Sequence, residues 1–221
     1  MNKLFQSCLF ALPLFLLSAC SQTPHQESPQ VASSLNPYEQ QVELSKEASN
    51  KVDYSLMRLS YSETALYKPW DSTEHEAGLA LLDAQAESNY PLCLELSSAI
   101  LGQNYTSLMA HLGAWSCNKE LGNYELANKH RKVLQGLIES ISASGDGLSA
   151  ETAFIVNSET EMRDYIQIRG LLMFRQDSLV KGGKHLRHAW ATDPQKASAV
   201  IEMYFDISRA LFSKLPKPTL I

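Results

Sequence analysis

Nowhere does this chain gather lysine and arginine into a block. Its 19 Lys+Arg are scattered among 24 Asp+Glu, giving a net charge of −5 and a pI near 5.7. A general nucleic-acid binder needs a dense set of cations to neutralise phosphates, and docking on anionic headgroups needs a basic face; both classes are excluded. Long apolar runs are missing too. The greasiest stretch, Leu4 to Leu17, is interrupted by Gln6, Ser7 and Pro13 and falls short of the roughly 20 residues that span a bilayer.

The usual catalytic patterns are also missing. No His-Glu-x-x-His sets two imidazoles on one helix face for zinc; "EHEAG" and "AHLGAW" do not supply the pair. No Gly-x-Ser-x-Gly elbow lifts a serine out of a turn, and "KGGKH" lacks the spacing of a phosphate-cradling loop. "SGDGLSAET" sets an acid among glycines but lacks the alternating ligands and closing glutamate of a calcium loop, so it reads as a turn leading into a strand. Glu159, Glu161 and Asp164 cluster in "SETEMRDY", where acids opening a helix offset its dipole. His185 and His188 fall on opposite faces of a strand, and His188, in step with Leu186 and Trp190, reads as a core histidine. The chain is expected to be no enzyme and to need no cofactor or metal.

What is present begins at the N-terminus. Asn2 and Lys3, the apolar run and "LSAC" (residues 17–20) have the charged start, greasy middle and small-residue exit of a secretory signal. Leu17-Ser18-Ala19-Cys20 resembles a bacterial lipobox. That resemblance implies cleavage before Cys20, acylation of its thiol, and stable anchoring by two or more acyl chains at about 0.8 kcal/mol per buried CH₂. Ser rather than Asp follows the cysteine, which resembles a passenger sorted to the outer membrane. The implied partner is a lipid bilayer, the implied location the outer membrane on its periplasmic side.

Residues 1–19 are thus read as signal and 20–50 as lipidated N-terminus and flexible tether, the latter rich in Ser, Gln and Pro as far as Asn36. Val52 to Trp70 carries a helical beat in Leu56, Leu59, Ala65 and Leu66 that ends at Lys68-Pro69, and its aromatics are read as packing. Residues 51–145 form a helical region with helices at 74–88, 91–102, 107–121 and 124–142. Asn89-Tyr90-Pro91-Leu92-Cys93 and Asn123-Tyr124-Glu125-Leu126-Ala127 are offset by 34 residues, the tetratricopeptide period. "ELGNYELA" resembles the centre of that repeat, with Gly122 at the turn. The first unit has Ser88 there, and the second has Trp115 where a small residue is usual. Cys93 and Cys117 lie on these helices. Buried free thiols are the plainer reading, and a bridge is the other that an oxidising compartment permits.

Gly145 reads as a helix C-cap. Residues 146–212 then read as a small module: a strand at 153–156, a helix at 159–168, strands at 171–180 and 185–192 joined by "KGGK", and an alternating strand at 200–207. Residues 213–221 read as a loose tail. The fold class is therefore α+β: tetratricopeptide-like helical hairpins followed by a small antiparallel sheet with one short helix. "VDYSLMRLSYSETALYKPW", "ELGNYELANKHRKVLQGLIESI" and "SGDGLSAETAFIV" in this order resemble an uncharacterised bacterial family of unknown function. That resemblance spans about residues 50–210 and supports the architecture while implying no activity.

The function expected from these features is a non-enzymatic interaction module in the cell envelope, an assembly accessory or an immunity-type protein that binds another envelope protein. In the second repeat the partner-facing residues would be Met109, Leu112, Ser116, Lys119 and Glu120. The alternative is a ligand-binding or enzymatic C-terminal module built on Arg187, His188 and Trp190.

Overall fold

The computed structural model describes residues 35–196 and 199–212, so the signal, Cys20 and the tail at 213–221 lie outside the described residues. The first element, α1 (Pro37–Lys46), falls inside the stretch expected to be tether. Its cause is local. Asn36 Oδ1 accepts the Glu39 N–H at 2.9 Å, Glu39 Oε2 accepts the Asn36 N–H at 3.1 Å, and Pro37 opens the first turn. That reciprocal pair satisfies two of the donors a helix start leaves orphaned.

α2 (Tyr54–Tyr61) is shorter than expected. Ser60, Ser62 and Thr64 turn their hydroxyls back onto the Leu56, Leu59 and Tyr61 carbonyls, competing with the helix ladder before Lys68-Pro69 is reached. Its buried face is also not the expected one: Leu56 and Leu66 are exposed, whereas Met57, Arg58 and Tyr61 are buried.

Two antiparallel helix pairs follow, α3 (Thr73–Ala86) with α4 (Tyr90–Gln103) and α5 (Leu108–Glu120) with α6 (Tyr124–Ser142). The repeat is visible in the backbone. Gly122 turns at φ +78° and Ser88, its equivalent one repeat earlier, at φ +58°. Ser88 thus adopts the left-handed conformation that glycine takes without cost. The helices approach closely at Gly113, where a Cβ would come within 2.5 Å of Leu81 and 2.9 Å of Ser97. Cys93 and Cys117 form a disulfide between α4 and α5, with Cα atoms 6.4 Å apart. This overturns the reading as free thiols: each sulfur is fully buried in the contact between the two helices, facing the other.

His111 on α5 is fully buried. Its Nε2 lies 2.9 Å from the Tyr105 carbonyl and its Nδ1 lies 3.0 Å from Nδ1 of His130 on α6. A carbonyl only accepts, so Nε2 carries the proton and Nδ1 accepts from His130. Burial, with His130 beside it, pushes the His111 pKa down to about 3.

After α6, which ends at Ala143 rather than at Gly145, come β1 (Phe154–Ile155), α7 (Glu159–Ile168), β2 (Leu172–Lys181), β3 (Lys184–Thr192), β4 (Val200–Asp206) and α8 (Ser208–Phe212). Gly182 and Gly183, both at positive φ, make the β2–β3 hairpin turn. The strand order is β1-β4-β3-β2, and β1 runs parallel to β4, Phe154 opposite Phe205. The sheet is therefore mixed, not antiparallel, because β1 enters from the helical layer in the direction of β4. β2 is an edge strand with a bulge between Met173 and Arg175.

One hydrophobic core joins helices and sheet. It runs from Tyr38, Met57 and Tyr61 through Leu137 and Ile141 to Phe154, Met162, Tyr165, Ala189, Met203 and Phe205. The boundary at 145/146 separates helices from strands along the sequence but not in packing, since residues from Leu35 onward form one compact unit. Among the described residues no helix is long and apolar enough to cross a membrane.

Candidate functional site

Helices α3 and α5 lie side by side, and a groove of about 410 Å³ runs between them. Leu112, Ser116, Lys119 and Glu120, four of the five residues expected to face a partner, line it with Leu82, Gln85, Ala86 and Trp115. Met109, the fifth, is 4% exposed and packs beside Gly78. It is not available to a partner, because α5 turns that face toward its neighbouring helix. Gln85 Nε2 donates to Ser116 Oγ at 3.0 Å across the groove floor, while Gln85 Oε1 is buried with no hydrogen-bond partner among the described residues. Leu112 and Trp115 also border a second concavity of about 540 Å³ reaching Ile138 and Ile168. Trp115, anomalous for the repeat, is thus shared by both hollows.

The C-terminal cluster is split. Arg187 points to the inner side and pairs with Glu159, its Nη2 at 2.5 Å and Nε at 2.7 Å. His188 and Trp190 stand on the outer face, where Arg175 lies 4.4 Å above the Trp190 ring and His188 stacks on Tyr204 at 4.1 Å. His188 Nε2 lies 3.0 Å from Glu202 Oε2. It is therefore not a core histidine: its side chain, 13% exposed, is covered by the Trp190 and Tyr204 rings on this face and not by the hydrophobic core. None of the concavities described here is lined by Arg187, His188 or Trp190.

The acids of "SETEMRDY" do more than offset a helix dipole. Glu161 and Asp164 are buried, 9% and 6% exposed. Arg58, 1% exposed, reaches Glu161 from α2. Its Nη1 donates to Glu161 Oε2 at 3.2 Å and to the Ile155 carbonyl at 2.8 Å, and its Nε to Ser140 Oγ at 2.8 Å. Glu161 Oε2 also accepts the Asn157 N–H at 2.5 Å, and Asn157 Nδ2 returns to the Arg58 carbonyl at 2.6 Å. Burial, with the Glu74 and Glu161 charges nearby, pushes Asp164 up to about 8, opposed by the Met109 N–H at the start of α5. Burial also raises Glu74, opposed by hydrogen bonds from Asn104 and Ser107.

A family model for a domain of unknown function, DUF4919, matches residues 40–215. The chain belongs to that family. No curated protein and no solved structure matches it. The match takes in every described strand, the α3/α5 groove and the Arg58–Glu161 network of this DUF4919 domain. It also includes most of α1, so that helix is part of the domain and not of the leader.

That Leu112, Ser116, Lys119 and Glu120 share one face was readable from helical spacing, whereas the burial of Met109 was not. The buried acids were not, because their meaning depends on Arg58, about one hundred residues away in sequence. The available signal was an arginine inside an otherwise apolar helix stripe, Met57-Arg58-Leu59.

Proposed function

We propose that this DUF4919 protein is a lipoprotein, acylated at Cys20 and held at the outer membrane, whose helical body binds a segment of another envelope polypeptide in the α3/α5 groove. The observation carrying this reading is the groove itself: apolar walls from Leu82, Leu112 and Trp115, with Lys119 and Glu120 at one end. A groove between two helices takes a guest's apolar side chains against its walls, and the charged pair at one end favours a polar or charged neighbour there. The Cys93–Cys117 bridge fits the exported setting, because such bonds persist in oxidising compartments.

A photo-crosslinking residue placed at Leu112, Ser116 or Lys119 in living cells is expected to yield one discrete adduct, lost when Leu82→Asp is added. The same group at exposed Val180 on the sheet edge is expected to yield none. Identical labelling from Val180, or adducts insensitive to Leu82→Asp, would refute the groove as the binding surface.

A further inference from the structure

A trough of about 980 Å³, larger than either hollow beside Trp115, runs between α1, α4 and α6. Its walls are aliphatic: Leu94 and Leu101 come from α4, Leu126 from α6, and Leu35 and Leu66 from the segments flanking α1 and α2. Leu35, Leu66 and Leu126 are 39%, 41% and 49% exposed. Half-exposed aliphatic side chains gathered in one concavity, rather than scattered singly, mark a surface that something covers. The α1 edge is charged. Glu39, Glu43 and Lys46 line it, two acids against one lysine for a net of −1, with Glu43 and Lys46 paired at 2.8 Å.

The chain leaves α8 within reach of this rim. Arg209 on α8 donates from Nη1 to the Leu59 carbonyl at 3.3 Å and to Ser62 Oγ at 3.1 Å, which pins α8 to the end of α2. Ser62 is four residues from Leu66, a span of at most about 14 Å, and the Tyr61 O–H holds the Leu66 carbonyl at 3.3 Å. Residues 213–221, "SKLPKPTLI", follow Phe212, and nine residues reach up to about 30 Å.

That segment matches the trough in kind. It brings Leu215, Leu220 and Ile221 for the aliphatic walls, and Lys214 and Lys217, with no acid, for the negative edge. The residues ahead of Leu35 also start at this rim but match it poorly: from Cys20 to Ser34 they hold Glu27, no lysine or arginine, and Val31 as their one large aliphatic side chain. We propose that residues 213–221 dock in this trough as an intramolecular strap, their aliphatic side chains against Leu66, Leu94 and Leu101 and their lysines along Glu39 and Glu43. A segment joined by so short a link is present at an effective concentration in the millimolar range, so contacts too weak to hold a free peptide keep it seated. The strap withdraws the trough from other proteins until it is displaced. The inference is independent of the α3/α5 groove.

The test places a photo-crosslinking residue at Ser98, an exposed α4 position on the trough, in the full chain in living cells, and maps the adduct by mass spectrometry. The expected adduct lies within the same chain, on residues 213–221, and the same group at exposed Leu79 on α3 should not form it. Leu126→Asp should cut its yield severalfold. Lys214→Glu/Lys217→Glu should do the same, and adding Glu43→Lys should restore it. Leu220→Asp/Ile221→Asp should lower the melting temperature of the full chain by about 2–4 °C, because a docked segment stabilises the folded body alone. All these substitutions fall at exposed positions or outside the described residues, so folding is not at stake. An adduct on residues 20–34, on a second copy or on another polypeptide would assign the trough to that occupant and overturn the proposal. No adduct, or a yield indifferent to every substitution, would overturn it as well.

Discussion

His111 shows how much stability one neutral side chain can control. With its folded pKa near 3 and its unfolded pKa near 6.5, the folded state refuses a proton that the unfolded chain accepts. The contribution is therefore intact above about pH 6.5 and is lost as pH falls toward 3, at about 1.4 kcal/mol per unit. Near pH 5 the loss comes to about 2 kcal/mol. Asp164, its pKa raised to about 8, gains stability over the same interval and opposes this loss, so the measurement is a difference: urea unfolding at pH 7 and pH 5 should show the native protein losing about 2 kcal/mol relative to His111→Gln, which keeps a donor for the Tyr105 carbonyl. A profile unchanged by the substitution would place the sensitivity elsewhere. Arg58 gives the converse lesson at the same scale. Its charge is satisfied by partners on α6, β1 and α7 at once, and removing one partner of such a buried pair typically costs 3–5 kcal/mol. Periodicity found a helix here but carried it past Tyr61 and chose Leu56 and Leu59 as the inward face, because hydropathy ranks an arginine as exposed whatever it meets in space.

Among the elements, the α4–α5 contact depends on covalent chemistry. The bridged cysteines are 24 residues apart, and closing a loop of that size in the unfolded chain is worth roughly 3 kcal/mol. Reduction should therefore shift the denaturation midpoint down by a corresponding amount. The Cys93→Ala/Cys117→Ala variant should start from the lower value and ignore reductant; an unmoved midpoint on reduction would argue against the bridge. Most helices and strands were legible, since the hydrophobic period and Pro, Gly and Asn breakers mark them: α6 and α7 end where the pattern ends. The misses have local causes. The Asn36–Glu39 capping box was hidden by the polar composition around it, and Ser88 concealed a left-handed turn that only its alignment with Gly122 exposes. Gly113 makes a close helix crossing against Leu81 and Ser97, and bulky Trp115 lies instead at the groove.

For the whole molecule, address and body are separable. If acylation at Cys20 is what holds the protein to the envelope, Cys20→Ala should move it from the membrane to the soluble fraction while its dichroism spectrum and melting temperature stay unchanged, because the compact unit begins at Leu35. Membrane retention of that variant would require a second attachment. The body itself joins regions that the sequence divides. A composition change at residue 146 suggests two modules, but packing across it makes one core, a fact that depends on contacts such as Leu137 and Ile141 with residues of the sheet layer and on no local pattern.

The outer rim of β2 carries this integration to its limit. Ten residues long, with Leu172, Phe174 and Val180 more than half exposed, it would be a template for fibre growth if it were flat. The bulge beside Phe174 kinks the rim, and Arg175, Asp177 and Lys181 charge it. Such a bent, charged seam disfavours edge-to-edge pairing between copies.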